Sequence, residues 1–166
     1  MYIKTALKSG LCLGIAQVVG TQILTWMGLG TSNWFPILMN ILVIVFITLM
    51  LKQIKKAQGG KLKFLKALLH IVIAIVLAFY IFQLYMFIYI NYIDPQWVEN
   101  TASSWSQTMA DNGVEQVDID KRIDFFKNSY KPLSMFTIQV LNYGVPQIVV
   151  GAIVSLFFVL GKKKNS

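Results

Sequence analysis

Four stretches of this chain, about residues 6–28, 34–51, 67–92 and 133–160, contain no acidic residue, no arginine and no interior lysine. At ~1.5 Å of rise per helical residue they reach roughly 27–42 Å, against a bilayer hydrocarbon core of about 30 Å. A backbone in hydrocarbon must satisfy its own hydrogen bonds, so a stretch that crosses as a single segment has to be a helix. The rest of the composition agrees. Charged residues make up 13% of the 166 and hydrophobic ones 56%, whereas a soluble domain carries roughly 25% charge. So little charge cannot cover a water-facing surface, and so apolar a chain does not stay disordered. The predicted fold class is an all-α membrane protein, one polytopic domain over 1–166 with four transmembrane helices in a bundle. Lys4 and Lys8 would suit the basic start of a signal peptide. The stretch that follows is too long and glycine-interrupted and lacks a small-x-small cleavage site, so it is expected to stay as the first helix.

The placement of charge gives the threading. Lys4 and Lys8 precede the first span, and Lys52, Lys55, Lys56, Lys61, Lys63 and Lys66 fill the connection between the second and third. Lys162, Lys163 and Lys164 follow the fourth. All seven acids (Asp94, Glu99, Asp111, Glu115, Asp118, Asp120 and Asp124) lie between the third and fourth spans, beside Lys121, Arg122, Lys127 and Lys131. The formal +8 therefore divides into +11 on one side and −3 on the other. By the positive-inside rule both termini are expected in the cytoplasm and segment 91–134 outside. The basic balance is a topology signal and predicts no nucleic-acid partner. Trp26, Trp34, Trp97 and Trp105 all fall on the predicted outer side, as does the run Tyr85, Phe87, Tyr89, Tyr92, where amphipathic rings collect at headgroup level.

Segment 91–134 is the polar module. Asp94-Pro95 predicts a helix start with Asp as N-cap and Pro at the first helical position. Trp97, Thr101, Trp105 and Met109 then recur every four residues as one stripe, and Asn112-Gly113 marks a stop. A second amphipathic helix is predicted from about Asp118 to before Pro132, with Ile119, Ile123, Phe126 and Tyr130 on one face. Trp97, Trp105 and Met109 are the candidate contact surface of this module.

Within the spans, small and polar residues fall on stripes. The first carries Gly10, Gly14, Gln17, Thr21, Thr25 and Gly28; the third carries Ala67, His70, Ala74, Ala78 and Tyr85. The fourth has Thr137, Gly144 and Gly151 at heptad spacing with Ser155 in line. Lipid provides no hydrophobic drive between helices, so such stripes, where backbones approach closely, are the expected contacts. Pro146 predicts a bend in the fourth span.

Few residues could carry chemistry. Gln17, Asn40, His70, Gln83, Asn142 and Gln147 form a candidate intramembrane polar network, and with Gln139 are expected to join helices, at about 0.6 kcal/mol per bond. A role for His70 in proton relay or gating is the sharper alternative. Glu115, Asp118, Asp120 and Asp124 are the nearest approach to a cation cluster, but the spacing is not that of an EF-hand. Helix capping, with an Asp118–Arg122 pair, is the expected role. No phosphate-binding glycine loop, metalloprotease motif or Ser-His-Asp set is present, and Cys12 has no second cysteine to pair with. No catalytic residue, cofactor or metal is predicted.

The length, four apolar spans, the Lys55-Lys56-Ala57-Gln58-Gly59-Gly60 connection, the Ile93-Asp94-Pro95 exit and the lysine-rich tail together resemble the small bacterial membrane proteins grouped as domain of unknown function 4199. Lys61-Leu62-Lys63-Phe64-Leu65-Lys66 is more basic than that family's pattern. The resemblance implies an inner-membrane location with four spans, and it transfers no activity. The expectation is a non-catalytic inner-membrane protein working through protein or lipid contacts, with a small-solute transporter or channel component as the alternative. The expected partners are the bilayer itself, anionic lipid at Lys52–Lys66, and an unknown membrane protein or a second copy of the chain.

Overall fold

The computed structural model describes residues 2–28 and 34–160. Lys162, Lys163, Lys164 and the side chain of Trp34 lie outside the described residues. Among those described, the elements are α1 (Tyr2–Trp26), α2 (Trp34–Ala57), α3 (Phe64–Ile88), α4 (Trp97–Asp111), α5 (Gln116–Ser129), α6 (Pro132–Met135) and α7 (Val145–Leu160). Two π-helical turns, Tyr89–Ile93 and Val140–Gly144, complete the order, and no described residue is in a strand. Four segments are long and apolar enough to cross a membrane: Ile3–Trp26, Ile37–Ala57, Phe64–Ile93 and Pro132–Leu160. The fold is all-helical with four candidate spans.

The boundaries differ from the apolar stretches for physical reasons. Helix α2 continues past Leu51 to Ala57, because lysine and glutamine are good helix formers and hydropathy marks hydrocarbon rather than helix. It ends where Gly59 and Gly60 take φ of +65° and +82°. The Gly60 N–H donates to the Lys55 carbonyl at 2.9 Å and the Gly59 N–H to that of Lys56 at 3.2 Å. Paired bonds of this kind, closed by a left-handed glycine, satisfy the last carbonyls of a helix.

The chain divides into two compact units: the residues up to Phe82 together with those from Asn142 onward, and Gln83–Leu141. In the first, Leu13, Val43, Ile47, Ile54, Ile71 and Ile75 are buried in one apolar cluster. Helix α1 meets α2, and α2 meets α7. The small-residue stripes of α1 and α3 meet as well. A Cβ on Gly10 would stand 2.6 Å from the Ala74 carbonyl oxygen, and one on Gly14 would stand 3.0 Å from that of Ala78. Ala67, Ala74 and Ala78 are buried on the facing side. Gly151 of α7 is filled against Ile71 and Ile47, and Ser155, one turn on, is fully buried.

The opposite faces are apolar and open. Along α1 the exposed aliphatics are Ile3, Leu7, Leu11, Ile15, Val19 and Ile23, one every four residues. Ile37, Ile41, Val45 and Leu49 repeat the pattern on α2, and Val145, Val149, Ile153 and Phe157 on α7. Helix α3 shows Leu65, Leu69, Val76, Tyr80 and Leu84. Continuous apolar surface on this scale drives association in water and is the ordinary solvated surface in lipid.

The fourth span is broken where one helix with a bend was predicted. Residues 136–137 form a turn after α6, and the π-turn Val140–Gly144 ends just before Pro146. Pro146 has no N–H and its ring crowds the carbonyl of Asn142; a widened turn accommodates both. A π-turn also adds a residue, which rotates what precedes it by about 100°. Gly144, Gly151 and Ser155 keep the buried line, whereas Thr137, upstream, is exposed and donates to the Leu133 carbonyl at 2.9 Å.

The α1–α3 contact makes a sharp prediction. Gly10→Ala and Gly14→Ala should each destabilise the detergent-solubilised protein by about 1–3 kcal/mol through overpacking against backbone. Gly20→Ala, whose Cβ would meet only Met39 Cε at 3.4 Å, should leave the thermal midpoint unchanged. Equal losses at all three positions would contradict the packing described.

Candidate functional site

The candidate polar network is divided by the fold. Gln17, His70 and Gln83 are buried, Gln147 is half-buried, and Asn40 and Asn142 are exposed. His70 Nδ1–H donates along its own helix to the Lys66 carbonyl, which fixes that ring nitrogen as the protonated one. This bond is local, running from one residue to the carbonyl four before it. Among the described residues, the buried Gln83 side-chain oxygen has no hydrogen-bond partner, and neither has Thr21 Oγ1. The Ser155 and Thr108 hydroxyls donate to carbonyls of their own helices, Ala152 and Ser104. Hydroxyls spent this way satisfy helical carbonyls instead of facing a base.

The second compact unit contains the better-defined site, the α4–α5 hairpin. Its entry departs from the predicted cap. Asp94 ends the π-turn with φ −136°, and its carbonyl accepts the Trp97 N–H at 3.1 Å, so Asp94-Pro95 is a turn and α4 starts at Trp97. Proline favours the second position of such a turn. Helix α4 ends at Asp111, with Gly113 just beyond it at φ +75°, and α5 begins two residues before Asp118.

The two predicted stripes face each other. The Phe126 ring lies 4.6 Å from Trp105, 5.0 Å from Tyr130 and 6.3 Å from Trp97, and Trp97 and Tyr130 meet edge-on at 5.3 Å. Such pairs contribute about 0.5–1.5 kcal/mol each beyond the area they bury. Thr101 and Ile119 are buried beside them. Of the candidate contact residues, Trp97 and Met109 are half-buried and Trp105 keeps 38% of its surface open. Between α4 and α5, Ala102, Ser106, Ala110, Ile123 and Lys127 line a shallow groove of about 370 Å³.

Three polar contacts had no sequence signal. Lys127 bonds Glu99 across the hairpin at 2.5 Å; both flank the aromatic stripes, but nothing in their spacing of 28 residues pairs them. Gln139 Nε2 donates to Ser129 Oγ at 3.1 Å, and Ser129 Oγ donates to the Phe126 carbonyl at 2.7 Å. Both side chains are buried, so the bonds tie the return chain to the end of α5. In the first unit, Lys55 Nζ donates to the Phe158 carbonyl in the last turn of α7, with the ammonium 5.9 Å from the Phe158 ring. A cation there complements the negative end of the helix dipole.

The acids at the start of α5 are exposed. Asp118 pairs with Lys121 at 3.7 Å, in place of the predicted Arg122. Asp120 accepts from Gln116 at 2.8 Å. Among the described residues no three of His, Cys, Asp and Glu come together as a metal site would require.

The Gln139–Ser129 bond is testable by a cycle. Ser129→Ala strands a buried amide and should cost about 1–3 kcal/mol. The double variant Ser129→Ala/Gln139→Leu should recover part of that in thermal unfolding. A double variant with the summed loss of both singles would contradict the coupling.

No curated protein and no solved structure matches the chain. One family model does, described as "Protein of unknown function (DUF4199)", over residues 8–159. The match runs from Lys8 in α1 to Val159 in the last turn of α7 and takes in both compact units, so the chain belongs to the DUF4199 family.

Proposed function

We propose that this chain is a non-catalytic integral protein of the bacterial inner membrane, acting through protein or lipid contacts of its helical bundle and its 91–134 hairpin. The observation that carries the reading is the row of exposed, mainly aliphatic side chains along each of the four long helices, one every four residues on α1 and α2, which suits hydrocarbon and no aqueous surface. The division of charge between the connecting segments supports cytoplasmic termini and an extracytoplasmic hairpin. In that hairpin, most of the aromatic stripe is spent on internal packing. Trp105 is the ring left partly open, and with Met109 it is the part of the predicted contact surface available to a partner.

A second reading, as a small-solute transporter or channel component, is favoured by one feature: the buried amide oxygen of Gln83, which has no hydrogen-bond partner among the described residues. A wetted path would supply its missing bond.

Cysteine labelling separates these. In a Cys12→Ser background, Asn112→Cys should react with a membrane-impermeant maleimide on intact cells, and Gly59→Cys only after permeabilisation. The opposite pattern would overturn the orientation. Gln83→Cys should stay unreactive toward a water-soluble thiol reagent; rapid modification would favour the transport reading.

A further inference from the structure

Every acidic side chain of the protein lies between Asp94 and Asp124. The unit made of the residues up to Phe82 and from Asn142 onward therefore holds lysines with no carboxylate side chain to neutralise them. These lysines differ in what they do for the fold. Lys55 is bonded to the Phe158 carbonyl. Lys52 and Lys56 lie near the end of α2, Lys56 in its last turn, where cations offset the negative end of the helix dipole. Lys61, Lys63 and Lys66 are placed the other way. All three are exposed around the start of α3, which begins at Phe64 and has no acid in its first turn. Positive charge at the start of a helix opposes the dipole, and these three also repel one another. Among the described residues no acid pairs with any of the three, and charges left unmatched at a helix start suit a counter-charge from outside the chain.

What covers the neighbouring surface identifies the source of that charge. Leu65 is 76% exposed and Leu69 55%, on the same face one turn apart. The row continues up α3 through Val76, Tyr80 and Leu84. A cationic cluster running directly into an open aliphatic face matches an amphiphile with an anionic head and hydrocarbon chains, and a free inorganic anion would use only half of it. We propose that Lys61, Lys63 and Lys66, with the Leu65–Leu69 face, form an interaction surface for the headgroups and upper acyl chains of anionic phospholipids. The proposal rests on the reading that the four long helices cross a bilayer. It narrows the lipid contact from the whole Lys52–Lys66 connection to the entry of α3.

The test is native mass spectrometry of the full-length protein from mild detergent, titrated with phosphatidylglycerol or phosphatidylcholine of matched chains. Wild type should retain phosphatidylglycerol preferentially. Lys61→Gln/Lys63→Gln/Lys66→Gln should weaken that retention by about 100-fold, from roughly fivefold per lysine near a charged surface. The corresponding triple arginine variant should keep it, and its behaviour shows that the surface tolerates substitution without unfolding. Equal retention of the two lipids by wild type, or an unchanged preference in the glutamine variant at wild-type helical content, would overturn the proposal. So would displacement of the bound lipid by inorganic phosphate, which would assign the cluster to a soluble anion. Alkaline carbonate extraction of native membranes keeps the two claims apart. A protein released by carbonate contradicts the membrane reading itself, whereas one that stays in the membrane fraction without a lipid preference contradicts only the surface proposed.

Discussion

The close approach of two backbones, α1 at Gly10 and Gly14 against α3 at Ala74 and Ala78, is the contact on which the arrangement of the first unit depends. In hydrocarbon, leucine gains nothing by leaving lipid for a neighbouring helix, so association comes from van der Waals contact at short range and from a few polar bonds. Residues without a side chain let the helices come close enough for that. Once α1 and α3 are held together, Ile71 and Ile75 on α3 are placed to complete the apolar cluster with Val43 and Ile47. Gly151 then repeats the device for α7 against Ile71 and Ile47. The aliphatic residues left over face outward in rows and contribute solvation by lipid, not cohesion.

The features readable from sequence were those set by periodicity and by solvent. Hydrocarbon permits no charge and demands helix, which makes four spans visible, and the small-residue stripes of α1 and α3 pointed to a contact that the fold contains. The facing stripes of α4 and α5 were visible for the same reason, a 3.6-residue repeat. Illegible features were those in which one residue alters the register or two distant residues meet. The π-turn before Pro146 could not be read from the proline alone, nor could the exposure of Thr137 be read from its heptad spacing to Gly144. Asp94-Pro95 fits a helix cap and a tight turn equally well, and the preceding π-turn selected the turn. Lys55 on Phe158, Lys127 on Glu99 and Gln139 on Ser129 are long-range pairs, which no local pattern encodes. Hydropathy marks an amide as unusual without saying whether it is buried; Gln83 is buried and Asn142 is exposed.

These physical features share a division of labour. The long helices hold almost no chemistry beyond their own packing, and the charged residues gather in segments between them with opposite sign. The hairpin uses aromatic rings to hold α4 to α5, so its stability is largely self-contained, while the lysine-rich connection satisfies one helix end through Lys55 and leaves the entry of α3 electrostatically unmatched.

A membrane-spanning fold requires the exposed aliphatic rows to face hydrocarbon. Site-directed spin labels in lipid vesicles measure this directly, by comparing collision with oxygen, which partitions into lipid, and with a water-soluble nickel chelate. Labels replacing Leu11, Ile15 and Val19 should collide readily with oxygen and scarcely with nickel, while one replacing the buried Leu13 should be sheltered from both. Nickel accessibility along the 11–15–19 row would place that face in water and contradict the account.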